Sequence, residues 1–299
     1  MLVILSIIIL NLFLYFYNEK IAQFFNLYDN PDALRKFHKT KVPLTGGIII
    51  LFNIMFVMIY TLINQLFYEQ FSFFQTNFDF IIFFIALLIF FLIGFIDDKK
   101  NISANIRFVI IALILIPTII FSDNLIINYI EFSFTEYSFY LPYYTSIFWT
   151  ILCFLLFINA INMFDGINYQ VGLYFIYLSL FFLVINHFNL FFSSVLIGLI
   201  TFIILNHKFK SFLGDSGSYL LAFIFGYFFI KIYNQTEIIK VDHIFLFMII
   251  PGIDLIRLFL MRILKNQNPF IADRNHLHHI VSKRFNLITT NLFIQSIII

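Results

Sequence analysis

The chain is 299 residues long, 62% of them hydrophobic and only 11% charged, where a soluble domain carries about 25% charged residues. With a mean hydropathy of +0.96, that composition excludes a water-soluble globular domain, and a net charge of +2 says nothing about nucleic acid. The single cysteine, Cys153, excludes an intrachain disulfide. The composition therefore predicts an all-α polytopic membrane protein, a single integral-membrane domain over residues 1–299, because backbone in lipid must satisfy its own hydrogen bonds.

Apolar runs long enough to cross about 30 Å of hydrocarbon predict about ten transmembrane helices. They lie near 1–17, 45–66, 79–96, 104–121, 144–160, 170–186, 188–205, 217–233, 243–264 and 286–299. The first run, Met1 to Tyr17, has no basic start and no small-residue cleavage site, so it reads as a retained helix, not a signal peptide. Basic residues then divide the loops into two alternating sets. One set holds Lys20, Arg35, Lys36, Lys39, Lys41, Lys99, Lys100, Arg107, Lys208, Lys210, Arg257, Arg262, Lys265, Arg274, Lys283 and Arg284. The other holds only Lys231 and Lys240. The positive-inside rule makes the first set cytoplasmic, and ten spans then leave both termini extracytoplasmic.

Each loop of the basic set is polar in its own way. The first runs from Arg35 to Lys41 into Val42-Pro43-Leu44-Thr45-Gly46-Gly47. Glycine amides at a helix start suit phosphate, while the lysines, Lys41 included, serve equally to anchor the loop on anionic headgroups. The second opens with Asp97-Asp98-Lys99-Lys100, two carboxylates at the negative end of a helix. A cation is expected to compensate them: Lys99, Lys100, the later Arg107 or a metal. Helix neighbours do not face each other, so the two side chains are expected to point apart and act separately. A solvated cap is the plainer alternative.

The third loop carries Asn159, Asn162, Asp165-Gly166 and Asn168-Tyr169. Its amides and carboxylate suit a base, a ribose or a sugar, and Asn159, Asn162 and Asp165 share a face if the helix continues. In the fourth, Asn206 precedes Gly214-Asp215-Ser216-Gly217-Ser218, where Asp215 or Ser216 would cap the next helix and Asp215 could hold Mg²⁺ against a phosphate. Before the fifth, Pro251-Gly252, Asp254 and Arg257 suggest a broken helix. The loop itself reads Asp273-Arg274-Asn275-His276-Leu277-His278-His279, where phosphate contacts fit the surroundings better than zinc does.

Taken jointly and in order, His38 to Gly47, Gly94-Phe95-Ile96-Asp97-Asp98, Asn159 to Gly166, Gly214 to Ser218 and Asp273 to His279 resemble the polyprenyl-phosphate N-acetylhexosamine-1-phosphate transferase family. The similarity covers about residues 28 to 284. It implies that a polyprenyl (undecaprenyl) phosphate attacks the β-phosphorus of a UDP-sugar, giving polyprenyl-diphospho-sugar and UMP, at the cytoplasmic face of a cell's inner membrane. It also implies Asp97 and Asp98 as the catalytic pair, one of them deprotonating the lipid phosphate or, alternatively, forming a covalent phospho-enzyme, with Asp215 on Mg²⁺ or in its place Mn²⁺. Substrate contacts would come from Lys41, Arg107, Asn159, Asn162, Asp165, Asn206, Arg274, His276, His278 and His279. The resemblance extends to a homodimer and to no nucleic-acid partner. The family often reads Asp-Gly-x-Asp-Gly in the third loop; here Asn168 and Tyr169 replace the last two. His-Leu-His-His leans away from the phospho-MurNAc-pentapeptide translocase branch and toward simple N-acetylhexosamines for O-antigen or another surface glycan. That translocase, and a lipid-linked-saccharide transporter or flippase, are the rival readings. A transporter would place its ionisable groups near the bilayer midplane, whereas these polar clusters gather at one surface.

Overall fold

The computed structural model describes residues 2–31, 40–63, 74, 76–185, 189–236, 238–266 and 275–298. Its helices are α1 (Leu2–Phe25), α2 (Gly46–Ile63), α3 (Asn77–Lys100), α4 (Ala104–Phe121), α5 (Tyr143–Phe164), α6 (Gln170–Ile185), α7 (Asn189–His207), α8 (Gly214–Gln235), α9 (Val241–Leu264), α10 (Leu277–Ser282) and α11 (Leu287–Ile298). Each of the ten predicted spans coincides with a helix. Among the described residues eight helices have the length and apolarity to cross a membrane, whereas α6 and α11 are apolar but shorter. Two small antiparallel ladders were not foreseen. β1 (Tyr28–Asp29) pairs with β2 (Val42–Pro43), and β3 (Tyr129–Glu131) pairs with β4 (Ser138–Tyr140).

The chain forms two compact units. The first comprises residues 1–72, 91–101 and 165–220, the second 73–90, 102–164 and 221–299. Helices α3 and α8 contribute to both.

In the first unit α7 packs against α1, α2 and α6. Asn11 and Asn53 are buried there and exchange amide hydrogen bonds, Asn11 Nδ2 donating to Asn53 Oδ1 at 2.7 Å. In an apolar surround such a pair fastens helices, since neither amide can turn to water. The segment after α7 is stitched down from several sides. Gly46 N donates to Phe212 O and Gly47 N to Leu213 O, both at 3.0 Å, and Phe212 N donates to Pro43 O at 2.8 Å. Asn18 Nδ2 donates to Lys210 O at 2.7 Å, and buried Thr45 bonds both Asn18 and Ser211. The Gly46 and Gly47 amides, expected to face phosphate, are thus committed to protein carbonyls that seat the start of α8.

In the second unit α5 packs against α4 and α9, and α11 against α9 and α10. Phe223 of α8 stacks on Phe83 and Phe90 of α3, at 5.8 and 4.5 Å between centroids. Lys231 belongs to α8 and not to a loop. It is fully buried and paired with equally buried Asp79, whose other oxygen accepts from Tyr227 Oη at 2.9 Å. A cation on a spanning helix needs such a partner, because leaving it bare in hydrocarbon costs several kcal/mol. Helix α9 is also continuous through Pro251. The predicted break is absent, since packed spanning helices accommodate one missing amide hydrogen bond.

Candidate active site

Four carboxylates of the first unit gather on the first turns of α8. The α3 backbone meets α8 closely at Gly94: a Cβ there would lie 2.3 Å from the Asp215 carbonyl oxygen, so only glycine lets the two helices approach. One turn later Asp98 accepts from Asp215 N at 2.8 Å and from Ser216 N at 3.1 Å. Asp98 therefore caps α8 from another helix, in the role expected of Asp215 or Ser216. The positive compensation for this carboxylate includes the amino end of α8 itself, whose first amides have no acceptor within the helix and turn to Asp98 instead. Gly214, at φ +74° and with Asp98 Oδ2 2.7 Å from where a Cβ would stand, makes the turn into that helix.

Asp97 points elsewhere. It is buried and accepts from Tyr219 Oη at 3.1 Å, one helical turn beyond Asp215. The expected divergence of the two neighbours is therefore observed. Asp165 lies just past the end of α5 and accepts from Ser218 Oγ at 3.1 Å. Helix α5 stops at Phe164, so Asp165 leaves the helical face of Asn159 and Asn162. Desolvation pushes the Asp165 carboxyl up to about 7; the Ser218 hydrogen bond works against that rise and the Asp98 charge adds to it. Part of Asp165 is exposed, and water reaching it moderates the rise.

The loop after Asp165 is braced by Asn206, which is buried. Its Oδ1 accepts from Tyr169 N at 2.9 Å, its carbonyl from Asn168 Nδ2 at 3.1 Å, and its Nδ2 donates to Ser211 O at 2.9 Å. Tyr169 has φ +71°, a left-handed conformation that favours glycine. Its hydroxyl reaches His207 Nδ1 at 2.5 Å. The two departures from the family pattern are thus held by consecutive residues at the end of α7: the Asn168 amide donates to Asn206 where a carboxylate could not, and the Tyr169 hydroxyl meets His207. Lys41, also in this unit, stands over the Tyr28 ring at 4.4 Å.

The remaining predicted residues belong to the second unit. Arg107 is in the first turn of α4. Asn159 donates to Leu155 O of its own helix at 2.7 Å, and Asn162 is half-buried in the last turns of α5. Arg274 lies outside the described residues. The histidine turn is fastened by Asp254. This buried carboxylate accepts from Arg257 at 2.7 Å, from Leu277 N at 3.0 Å, and pairs with His276 Nδ1 at 3.0 Å. Arg257 continues to Asn275 O at 2.5 Å. The sequence marked Asp254 and Arg257 as a pair three residues apart, but only the fold shows them holding the turn. His278 is buried, its ring stacked on that of His276 at 5.3 Å and meeting that of His279 edge-on at 4.3 Å. Burial, reinforced by the neighbouring imidazoles, holds it well below the usual histidine range and hence neutral.

The sequence profile of glycosyl transferase family 4 matches residues 80–233, more than half of the chain. The chain belongs to glycosyl transferase family 4. It is therefore a transferase, and a multi-pass membrane protein by its helices. Among similar family 4 proteins are three described as undecaprenyl-phosphate alpha-N-acetylglucosaminyl 1-phosphate transferase. The one from Escherichia coli (strain K12) is 26% identical over 295 residues, covering 94% of this chain and 76% of its own. That from Salmonella typhi is 25% identical over 292 residues with the same coverage. The Thermotoga maritima protein is 26% identical over 268 residues, covering 90% of this chain and 77% of its own.

Among the described residues of this family 4 chain, no three His, Cys, Asp or Glu side chains are placed to enclose a metal. The carboxylates on α8 are nevertheless hard oxygen donors, and the Asp98 charge presses on Asp165. Such a set suits a cation held by one or two carboxylates and completed by substrate phosphates and water. Tyr219 and Ser218 escaped the sequence reading as holders of Asp97 and Asp165. Tyr219 stands four residues after Asp215, on the same helix face, which is the signal that could have found it.

Proposed function

We propose that this chain transfers a sugar-1-phosphate, an N-acetylhexosamine-1-phosphate, from a UDP-sugar to polyprenyl phosphate of the undecaprenyl class, releasing UMP, as the first membrane step of a surface glycan. The observation that carries the reading is the convergence of Asp97, Asp98, Asp165 and Asp215 on the first turns of α8. Membership of family 4 and relatives named for that transfer support it. An oxygen of the lipid phosphate forms a bond to the β-phosphorus, and the bond from that phosphorus to the bridging oxygen of UMP breaks. Both partners are anions, so the barrier is mostly charge repulsion and alignment.

Asp215 would hold Mg²⁺, with Asp165, which accepts from Ser218 on the same helix, as a second carboxylate. When bound, that ion neutralises the charge developing on the phosphate oxygens. Asp98 positions the α8 amino end, and Asp97, oriented by Tyr219, is the proton acceptor of the pair.

The test is UMP release from purified protein in detergent with undecaprenyl phosphate, Mg²⁺ and a panel of UDP-sugars. The expected result is UMP with one UDP-N-acetylhexosamine and only when the lipid phosphate is present. No UMP with any donor, or equal release without the lipid, overturns the proposal.

A further inference from the structure

A second polar cleft, about 310 Å³ in volume, lies in the second unit between the β3–β4 hairpin and the ends of α8 and α9. Its walls include Tyr129, Tyr140, Tyr233, Glu131, Lys240 and Thr236. None of these residues enters the reading of the active site. The cleft is built rather than accidental, because the hairpin is pinned at several points. Tyr233 Oη donates to Tyr129 O at 2.9 Å and accepts from Glu131 N at 3.0 Å. Asn234 Nδ2 donates to Asn124 O at 2.9 Å and to Ile126 O at 3.0 Å. Asp242, at the start of α9, accepts from Ser133 N at 2.8 Å and from Ser133 Oγ at 2.5 Å.

Two features give the ligand class. Within the wall, Lys240 Nζ and Glu131 Oε1 stand 2.7 Å apart with side chains 21% and 26% exposed, so both signs of charge reach the cleft. Tyr129 lies 5.1 Å from Tyr233 and 6.2 Å from Tyr140, ring to ring, and their faces attract an ammonium group. The depth in the membrane follows from the surroundings. The hairpin joins α4 to α5, two helices of spanning length. It is studded with exposed aromatics: Phe134 is 79%, Tyr137 80% and Tyr144, just after it, 84% exposed. Rings of this kind concentrate at the headgroup layer, where one end is wet and the other apolar.

We infer that this cleft binds the headgroup of a zwitterionic aminophospholipid, its phosphate on Lys240 and its ammonium against Glu131 and the tyrosine faces. An anionic headgroup without an amine would meet Glu131 with nothing to offer it. A headgroup at this depth would clamp the hairpin to the start of α9.

The experiment is native mass spectrometry of the full chain after equilibration in vesicles holding equal phosphatidylethanolamine and phosphatidylglycerol. Wild type should retain phosphatidylethanolamine over phosphatidylglycerol, and Glu131→Gln or Lys240→Gln should cut that preference about threefold, the size expected of a partly exposed ion pair. UMP release at the wild-type rate checks that each variant is folded. Should the charge variants not fold, Tyr140→Ser keeps the test open, since Tyr140 is 78% exposed and its loss should lower the same ratio. Equal retention of both lipids by wild type, an unchanged preference in folded variants, or displacement of the lipid by millimolar inorganic phosphate alone overturns the inference.

Discussion

Asp98 accepts two backbone N–H groups at the start of α8, and an amide cannot do the same. Asparagine offers one carbonyl oxygen, and its NH₂ would face the second donor. The loss combines one charge-assisted hydrogen bond with the attraction between a carboxylate and a helix amino end, together about 1–3 kcal/mol. Because the same turn carries Asp215 and supports Asp165, the damage also reaches activity. Asp98→Asn should therefore lower the thermal midpoint in detergent and reduce UMP release at least about tenfold, as expected for a displacement of catalytic groups. Asp97→Asn keeps an acceptor for Tyr219 Oη and should leave the midpoint closer to wild type while still losing turnover. Equal midpoints for wild type and Asp98→Asn would remove the capping role. That the two aspartates diverge was legible from the 100° step of a helix. That their partners are the α8 amides and Tyr219 was not, because those contacts span more than a hundred residues of sequence.

At the scale of elements, α3 and α8 are also joined in the second unit by Asp79, Tyr227 and Lys231, all buried. Removing one member of a buried pair leaves an uncompensated charge and costs about 3–5 kcal/mol, whereas replacing both with apolar residues is often neutral. Lys231→Met alone should lower the thermal midpoint strongly, and Lys231→Met with Asp79→Leu should recover most of the loss. Failure of the double variant to recover would mean that the pair is held by more than its own charges, for instance through Tyr227. The positions of the helices were readable because apolar runs of spanning length have few other uses. Lys231 was misread because a cation beside Tyr233-Asn234-Gln235 looks like the end of a span when only composition is weighed. The β3–β4 hairpin was missed because strands of three residues leave no alternation to detect, and its stability comes from Tyr233, Asn234 and Asp242, far along the chain. Asp254 was noticed as a charge in an apolar helix, but its hold on the histidine turn depends on a loop closure that no local pattern encodes.

At the scale of the molecule, the placement of basic residues predicts which way the chain sits. Lys99 and Lys100 end α3 beside Asp97 and Asp98, and Lys208 and Lys210 lie between α7 and the start of α8 that carries Asp215, while the β3–β4 hairpin holds Glu131 and Glu136. Basic residues close to helix ends are retained on the cytoplasmic side during insertion, and acidic ones contribute little. The chemistry makes the same demand independently. A nucleotide-sugar is a soluble cytoplasmic anion that cannot cross hydrocarbon, so the turn holding Asp98 and Asp215 must open to the cytoplasm for the proposed reaction to run. With Cys153 replaced by Ala, a membrane-impermeant maleimide should label Glu136→Cys in intact cells. It should reach Lys100→Cys and Lys208→Cys only after permeabilisation. Labelling of Lys100→Cys from outside would place the aspartates away from the nucleotide pool. The carboxylates on α8 would then need a donor that is available outside the cell, and a UDP-sugar would no longer serve.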